Sequence, residues 1–150
     1  MLDSADKAPS NVVGAQTLTN SKKANVTIGA DMVFVDASFR TKAIAITGNA
    51  LANTISGGTK NDSIFGAAGN DTFFPTANEG NDKIFDYETD NLLKILNVDG
   101  SNGSFKSSKY SGGDLTLTIN GCGKIIFEDV AQTLNLTSTV RPTTSAVLNS

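Results

Sequence analysis

The chain contains no histidine and no tryptophan, one cysteine and three prolines. Without histidine there is no Ser-His-Asp triad, no ordinary general base near neutral pH and none of the commonest zinc ligand. Cys122 stands alone between Gly121 and Gly123. It cannot form an internal disulfide, and with no CxxC partner it reads as a small turn residue rather than a reactive thiol. No apolar run reaches the ~20 residues of a membrane span. The first ten residues lack the apolar segment of an export leader. Helical periodicity is also scarce, and neither a phosphate loop nor a nucleophile-base pair is present, so the chain reads as a non-enzyme.

The charge is unevenly spread. Seven acids (Asp62, Asp71, Glu79, Asp82, Asp86, Glu88, Asp90) fall within residues 61–90 against Lys83, a local charge of −6 inside a total of −3. The remainder therefore carries +3. Acid concentrated in one stretch repels itself unless cations neutralise it, which argues for a metal and against nucleic acid as partner. Hydrophobic residues make up 39% of the chain, and 14 glycines accompany many Asn, Ser and Thr. This composition suits a coil-and-turn solenoid better than a thick globular core.

What the chain does contain is a nine-residue rhythm from Gly48 to Asp86. Glycine opens units at 48, 57 and 66; Asn53, Asp62 and Asp71 follow five residues later; Ile55, Ile64 and Phe73 come two after those. A shifted fourth copy runs Gly80-Asn81-Asp82-Lys83-Ile84. Glycine suits a tight turn that aims carbonyl oxygens inward, as at Gly66 and Gly69. A carboxylate at the end of the turn adds a hard anionic ligand. Calcium takes ~6–8 oxygens from such carboxylates and carbonyls. The apolar residue after it starts a short inward-packed strand. Candidate metal ligands are therefore Asp62, Asp82, Asp71 and Asn53, with the turn glycines Gly57, Gly66, Gly69 and Gly80.

Two nonamers make one coil, so residues 18 apart share an edge. Asn53 and Asp71 are 71 − 53 = 18 apart; Asp62 and Asp82 are 82 − 62 = 20 apart, the extra two residues lying in Phe74-Pro-Thr-Ala-Asn. The Asp62/Asp82 pair carries one more charge and is expected to be the stronger site. Asp86, Glu88 and Asp90 read as a solvated acidic turn in preference to a peripheral ion site. Phe73, Phe74, Phe85 and Tyr87 read as packing residues in preference to a carbohydrate platform.

The rhythm extends upstream in two series, Val26/Val35/Ile44 and Ile28/Ala37/Ile46, without the acidic residues. The expected organisation is an N-terminal arm and first coil over 1–25, a β-roll over 26–91, capping strands over 92–137 and a mobile tail over 138–150. Strands are expected near 31–38, at 92–96, at 115–119, from Lys124 and at 134–136. The fold class is all-β, a parallel β-roll or β-helix solenoid with a C-terminal β cap.

These repeats resemble the repeats-in-toxin (RTX) hemolysin-type family, whose nonapeptides bind calcium on parallel β-rolls. The resemblance implies Ca2+ as cofactor, secretion to the extracellular medium or cell surface, and type I secretion machinery as a partner. It also implies folding on calcium outside the cell. Lys60 and Leu51 depart from the pattern where a second turn glycine is expected, and Asn53 replaces an Asp. One or two ions are expected, not a long ladder. Two other readings are open: a surface adhesion or assembly module contacting a glycan or another copy, and the detached C-terminal domain of a secreted hydrolase.

Overall fold

The computed structural model describes residues 14–20, 24–74, 80–88, 90–95, 105–119, 123–130 and 147–149. Through the repeat region the strands are three or four residues long, because glycine and Asn-Asp turns interrupt every apolar run. They are β1 (Ala15–Thr17), β2 (Asn25–Thr27), β3 (Phe34–Asp36), β4 (Ala45–Thr47), β5 (Thr54–Ser56), β6 (Ser63–Phe65), β7 (Thr72–Phe74), β8 (Asn81–Ile84) and β9 (Leu92–Lys94). Odd strands stack parallel in one sheet and even strands in the other. The chain is thus an all-β parallel solenoid of about four turns.

Successive strand residues point to opposite faces, so a three-residue strand sends one side chain inward. One sheet buries Val35, Ile55, Phe73 and Leu93; the other buries Val26, Ile46, Ile64 and Ile84. Full burial of such a side chain is worth roughly 1.5–3 kcal/mol, and this column is the main source of cohesion.

The coil length is not constant. Ile46↔Ile64 and Ile55↔Phe73 are 18 apart, while Val26↔Ile46, Val35↔Ile55, Ile64↔Ile84 and Phe73↔Leu93 are 20 apart. Of the two upstream series read in the sequence, the ladder takes Val26 and Val35, then steps to Ile46. Ile28 and Ala37 are buried at the corners instead. The step is tolerated because two extra residues preserve the inward parity of a period-two strand.

Coils begin earlier than the Val26 start of the rhythm, since β1 pairs parallel with β3. They also extend into the segment expected to cap, since β9 pairs parallel with β7. An antiparallel unit follows, made of β10 (Phe105–Ser111), β11 (Asp114–Ile119) and β12 (Lys124–Phe127). β12 lies parallel on β8 and covers the even sheet's last coil. β10 has no sequence signature: its run Lys106-Ser-Ser-Lys-Tyr is polar and only Phe105 is buried. β13 (Val147–Asn149) pairs antiparallel with β9. The rest of the expected tail, residues 138–146 and 150, lies outside the described residues. The strand expected at 134–136 lies outside the described residues, as does Glu79. Among the described residues no helix is long and apolar enough to cross a membrane.

Candidate metal centre

The turns between strands stack along the two edges of the roll. One edge carries the turns 37–44, 57–62 and the approach to Asp82; the other carries 28–33, 48–53, 66–71 and 86–91. The turns 48–53, 57–62 and 66–71 each end in Asn or Asp, whose side chain folds back under the coil. Asp62, Asp71, Asp82 and Asn53 are all buried, as is Asn91 at the corresponding place in the next coil.

Burial is made possible by backbone amides. Asp62, Asp71, Asp82 and Asn91 each accept the amide of the equivalent residue one coil earlier. Ile44 N–H donates to Asp62 Oδ1 (3.0 Å) and Asp62 N–H to Asp82 Oδ1 (2.9 Å). On the other edge Asn53 N–H donates to Asp71 Oδ1 (2.8 Å) and Asp71 N–H to Asn91 Oδ1 (2.8 Å). The structure therefore brings Asp62 together with Asp82, and Asn53 with Asp71.

The turn glycines leave room for these contacts. A Cβ at Gly66 would lie 2.2 Å from Asp71 Oδ2, and one at Gly57 2.9 Å from Asp62 Oδ2. At Gly69, φ is 116°, and a Cβ would meet Leu51 O at 2.6 Å; at Gly80 it would meet Lys60 O at 2.7 Å. The Lys60 side chain itself is exposed, so its charge faces solvent. Leu51 is likewise partly exposed.

Hydrogen bonds do not fully offset the loss of water. Burial pushes the Asp82 carboxyl up to about 7, with the charge of Asp62 adding to it and the Asp62 amide opposing. Burial raises Asp62 as well, against the Gly58 and Ile44 amides and the Arg40 charge. Asp71 is pushed to about 6 by burial, opposed by the Asn53 amide and reinforced by the like charges of Asp86 and Glu88. Its Oδ2 is buried with no hydrogen-bond partner, as is Asn91 Nδ2. Buried carboxylates of this kind are relieved by a cation. Among the described residues, no three acidic or thiol side chains form a ready-made cage. Any ion would be completed by turn carbonyls, which suits the hard oxygen chemistry of calcium.

Two features escaped the sequence reading. Arg40 is 1% exposed; its guanidinium donates to Thr19 O and, from Nε, to Lys42 O at 3.3 Å. An arginine in a turn signals exposure, and only its stacking against Gly58 and Thr59 of the next coil reveals otherwise. Asp86 is the second: both its oxygens accept amides of the 66–71 turn, Gly66 N–H and Ala67 N–H, at 2.8 Å each. It stands 20 residues after Gly66, the local coil length, which is the signal that places it there.

The four aromatic residues do not form one platform. Phe73 and Tyr87 are in the core, while Phe74 ends β7 and Phe85, just past β8, stacks on Phe65 of β6 (centroids 4.5 Å apart). Tyr87 packs on Phe73 (centroids 5.9 Å apart) and edge-on to Phe127 of β12 (4.8 Å), joining the roll to its cap.

No curated protein and no solved structure matches the chain. Residues 47–75 match the family model described as RTX calcium-binding nonapeptide repeat, in four copies. With glycine turns, buried turn-end carboxylates and a parallel solenoid in place, residues 47–75 are RTX calcium-binding nonapeptide repeats and build a calcium-binding β-roll module.

Proposed function

We propose that this chain is a non-enzymatic, calcium-responsive β-roll of a secreted protein, which completes its fold on calcium outside the cell. The observation that carries the reading is Asp71: a carboxylate sealed in a glycine turn, with like charges beside it and one oxygen unpartnered. In a calcium-poor compartment, ionised Asp71 and Asp82 oppose the fold. Where calcium is plentiful, binding supplies the missing charge, and metal free energy becomes folding free energy. That coupling suits passage of an unfolded chain through type I secretion machinery. Asp62, Asp82, Asp71 and Asn53 supply the side-chain oxygens, and the turns at Gly57, Gly66, Gly69 and Gly80 supply carbonyls.

The test is a calcium titration of the whole chain at neutral pH, followed by far-UV circular dichroism and thermal melting, with magnesium as control. Calcium should raise β content and the melting temperature, and magnesium at equal concentration should not. Identical spectra and melting temperatures in chelator and in calcium would sink the proposal.

A further inference from the structure

Two turns share a hydrogen-bond plan, and a third departs from it. In the turn 48–53 the second amide, Asn49 N–H, donates to the last side chain, Asn53 Oδ1, at 2.9 Å. In the turn 57–62 the second amide, Gly58 N–H, donates to Asp62 Oδ2 at 2.5 Å. In the turn 66–71 the corresponding amide belongs to Ala67, whose φ of 68° lies in the left-handed region. It donates to Asp86 in the next coil, not to Asp71. Asp86 takes the Gly66 amide too. Asp71 keeps only the Asn53 amide, on Oδ1.

The orphaned Oδ2 of Asp71 thus has a structural cause. Asp86 occupies the turn-opening place that glycine holds at 48 and 66, and its carboxylate captures the amide that would have satisfied Asp71. Two carboxylates now bracket one short turn. Asp71 is 1% exposed, and its unpartnered oxygen points into that turn, against Gly66. Ala67 is held in the left-handed region that favours glycine, so this arrangement is strained as well as anionic.

The other turns are compensated from within the chain. Asp62 has an amide on each oxygen, and the Arg40 charge acts on it. Below Asn53, the amide groups of Asn49 and Asn53 donate to Met32 O (2.7 and 3.1 Å), and Asn49 also to Gly29 O (2.7 Å). In those coils, side-chain N–H groups cover turn carbonyls that would otherwise be free to hold a cation.

We infer that the chain's principal calcium site is the turn 66–71, held between Asp71 and Asp86, and that the Asp62 turn, whose carboxylate has an amide on each oxygen, is the weaker one. This rests on the calcium-binding reading above and reverses the ranking drawn from charge count. Asp86 becomes a ligand-bearing residue outside residues 47–75.

The test is calorimetric titration of the full chain with calcium chloride, comparing wild type with Asp71→Asn, Asp86→Asn and Asp62→Asn. Asp71→Asn and Asp86→Asn should each weaken binding by roughly tenfold or more, since calcium affinity follows ligand charge count. Asp62→Asn should shift it by no more than about threefold, the effect of a neighbouring charge through solvent. Terbium supplies a readout independent of variant folding. Bound beside Asp86, it is sensitised by Tyr87, so Tyr87→Phe should abolish the emission and Tyr110→Phe should leave it. Loss of calcium binding in Asp62→Asn with Asp86→Asn unchanged would overturn the assignment while leaving calcium binding intact. Unchanged or tighter binding in Asp71→Asn would show that Asp71 is buried as a neutral acid, and also overturns it. Terbium emission that survives Tyr87→Phe would place the ion elsewhere. Absence of calcium binding by the wild type would instead refute the proposed function itself.

Discussion

Replacing Arg40 with methionine tests whether the first coils are held by a cation that is part of the chain. The guanidinium is buried and reaches the carbonyls of Thr19, 21 residues earlier, and Lys42. Hydrogen bonds to charged groups contribute roughly 1.5–3 kcal/mol each, and a buried acceptor left without its donor adds a desolvation penalty. Methionine keeps most of the aliphatic stem, so packing loss is a minor part of the effect. Asp62 also loses a positive charge that favours its ionised form. Removing one partner of a buried charged arrangement costs about 3–5 kcal/mol, and that is the expected loss here.

Against a total of roughly 5–15 kcal/mol for a domain, such a change is large. It is read by urea unfolding in chelator, followed by far-UV circular dichroism, as a lower midpoint with an unchanged slope. Arg40→Lys should recover only part of the loss, because a point-like ammonium cannot serve both carbonyls as a planar fork does. A loss below about 1 kcal/mol, or complete recovery with lysine, would refute the idea that guanidinium geometry holds these coils.

The remaining predictions concern pH and the cap. Asp82 ionises near 7 in the fold against 3.8 in a free chain, so its folded pKa lies above its unfolded one. Stability of the metal-free chain is then greatest below about pH 4 for this group and falls as pH rises toward 7, by up to about 4 kcal/mol, with Asp71 adding to it. Urea midpoints in chelator across pH 4–8 measure this; stability that rises with pH over that window would contradict it. At the cap, a Cβ on Gly123 would lie 1.5 Å from Gly80 O, so Gly123→Ala should undock β12 from β8. Hydrogen exchange should then lose protection at Lys124–Phe127 and keep it in β4–β6; retained protection throughout would count against a cap docked on this contact.

Much of the solenoid is legible in the sequence because its determinants are local. Glycine, Asn or Asp, and an apolar residue recur at a fixed spacing, and each specifies its own turn or strand. The 20-residue offset of Asp62 and Asp82 was readable for the same reason: Phe74-Pro-Thr-Ala-Asn adds two residues between recognisable units. The upstream step was not, because both nine-residue series there are apolar and either satisfies the pattern. Only stacking selects Val26 and Val35. β10 escaped because an edge strand needs partners more than apolar residues. The ranking of the two edges depended on which amides each carboxylate reaches, and no pattern of residue types encodes that. Charge count favoured Asp62 and Asp82; Arg40, 22 residues before Asp62, alters the balance through space.

The two halves of the roll solve one problem with opposite chemistry. Every coil turn leaves backbone groups pointing along the edge, and stacking removes them from water. In the first coils, Arg40, Asn49 and Asn53 answer carbonyls with N–H donors, and nothing further is required. From Asp62 onward, carboxylates answer amides instead, which satisfies donors but accumulates negative charge. On the proposed function, this exchange of donor for acceptor at equivalent turn positions is what would make the later coils respond to a metal. It also fixes what the metal controls. Asp86 is followed by Tyr87, whose ring touches Phe73 within the roll and Phe127 in the cap, and whose hydroxyl donates to Asn91 O at 2.9 Å. A cation held between Asp71 and Asp86, as proposed, would therefore sit next in sequence to the residue on which β12 packs. The proposed calcium site thus lies at the junction of roll and cap, so loss of the ion would be felt first in the docking of β12.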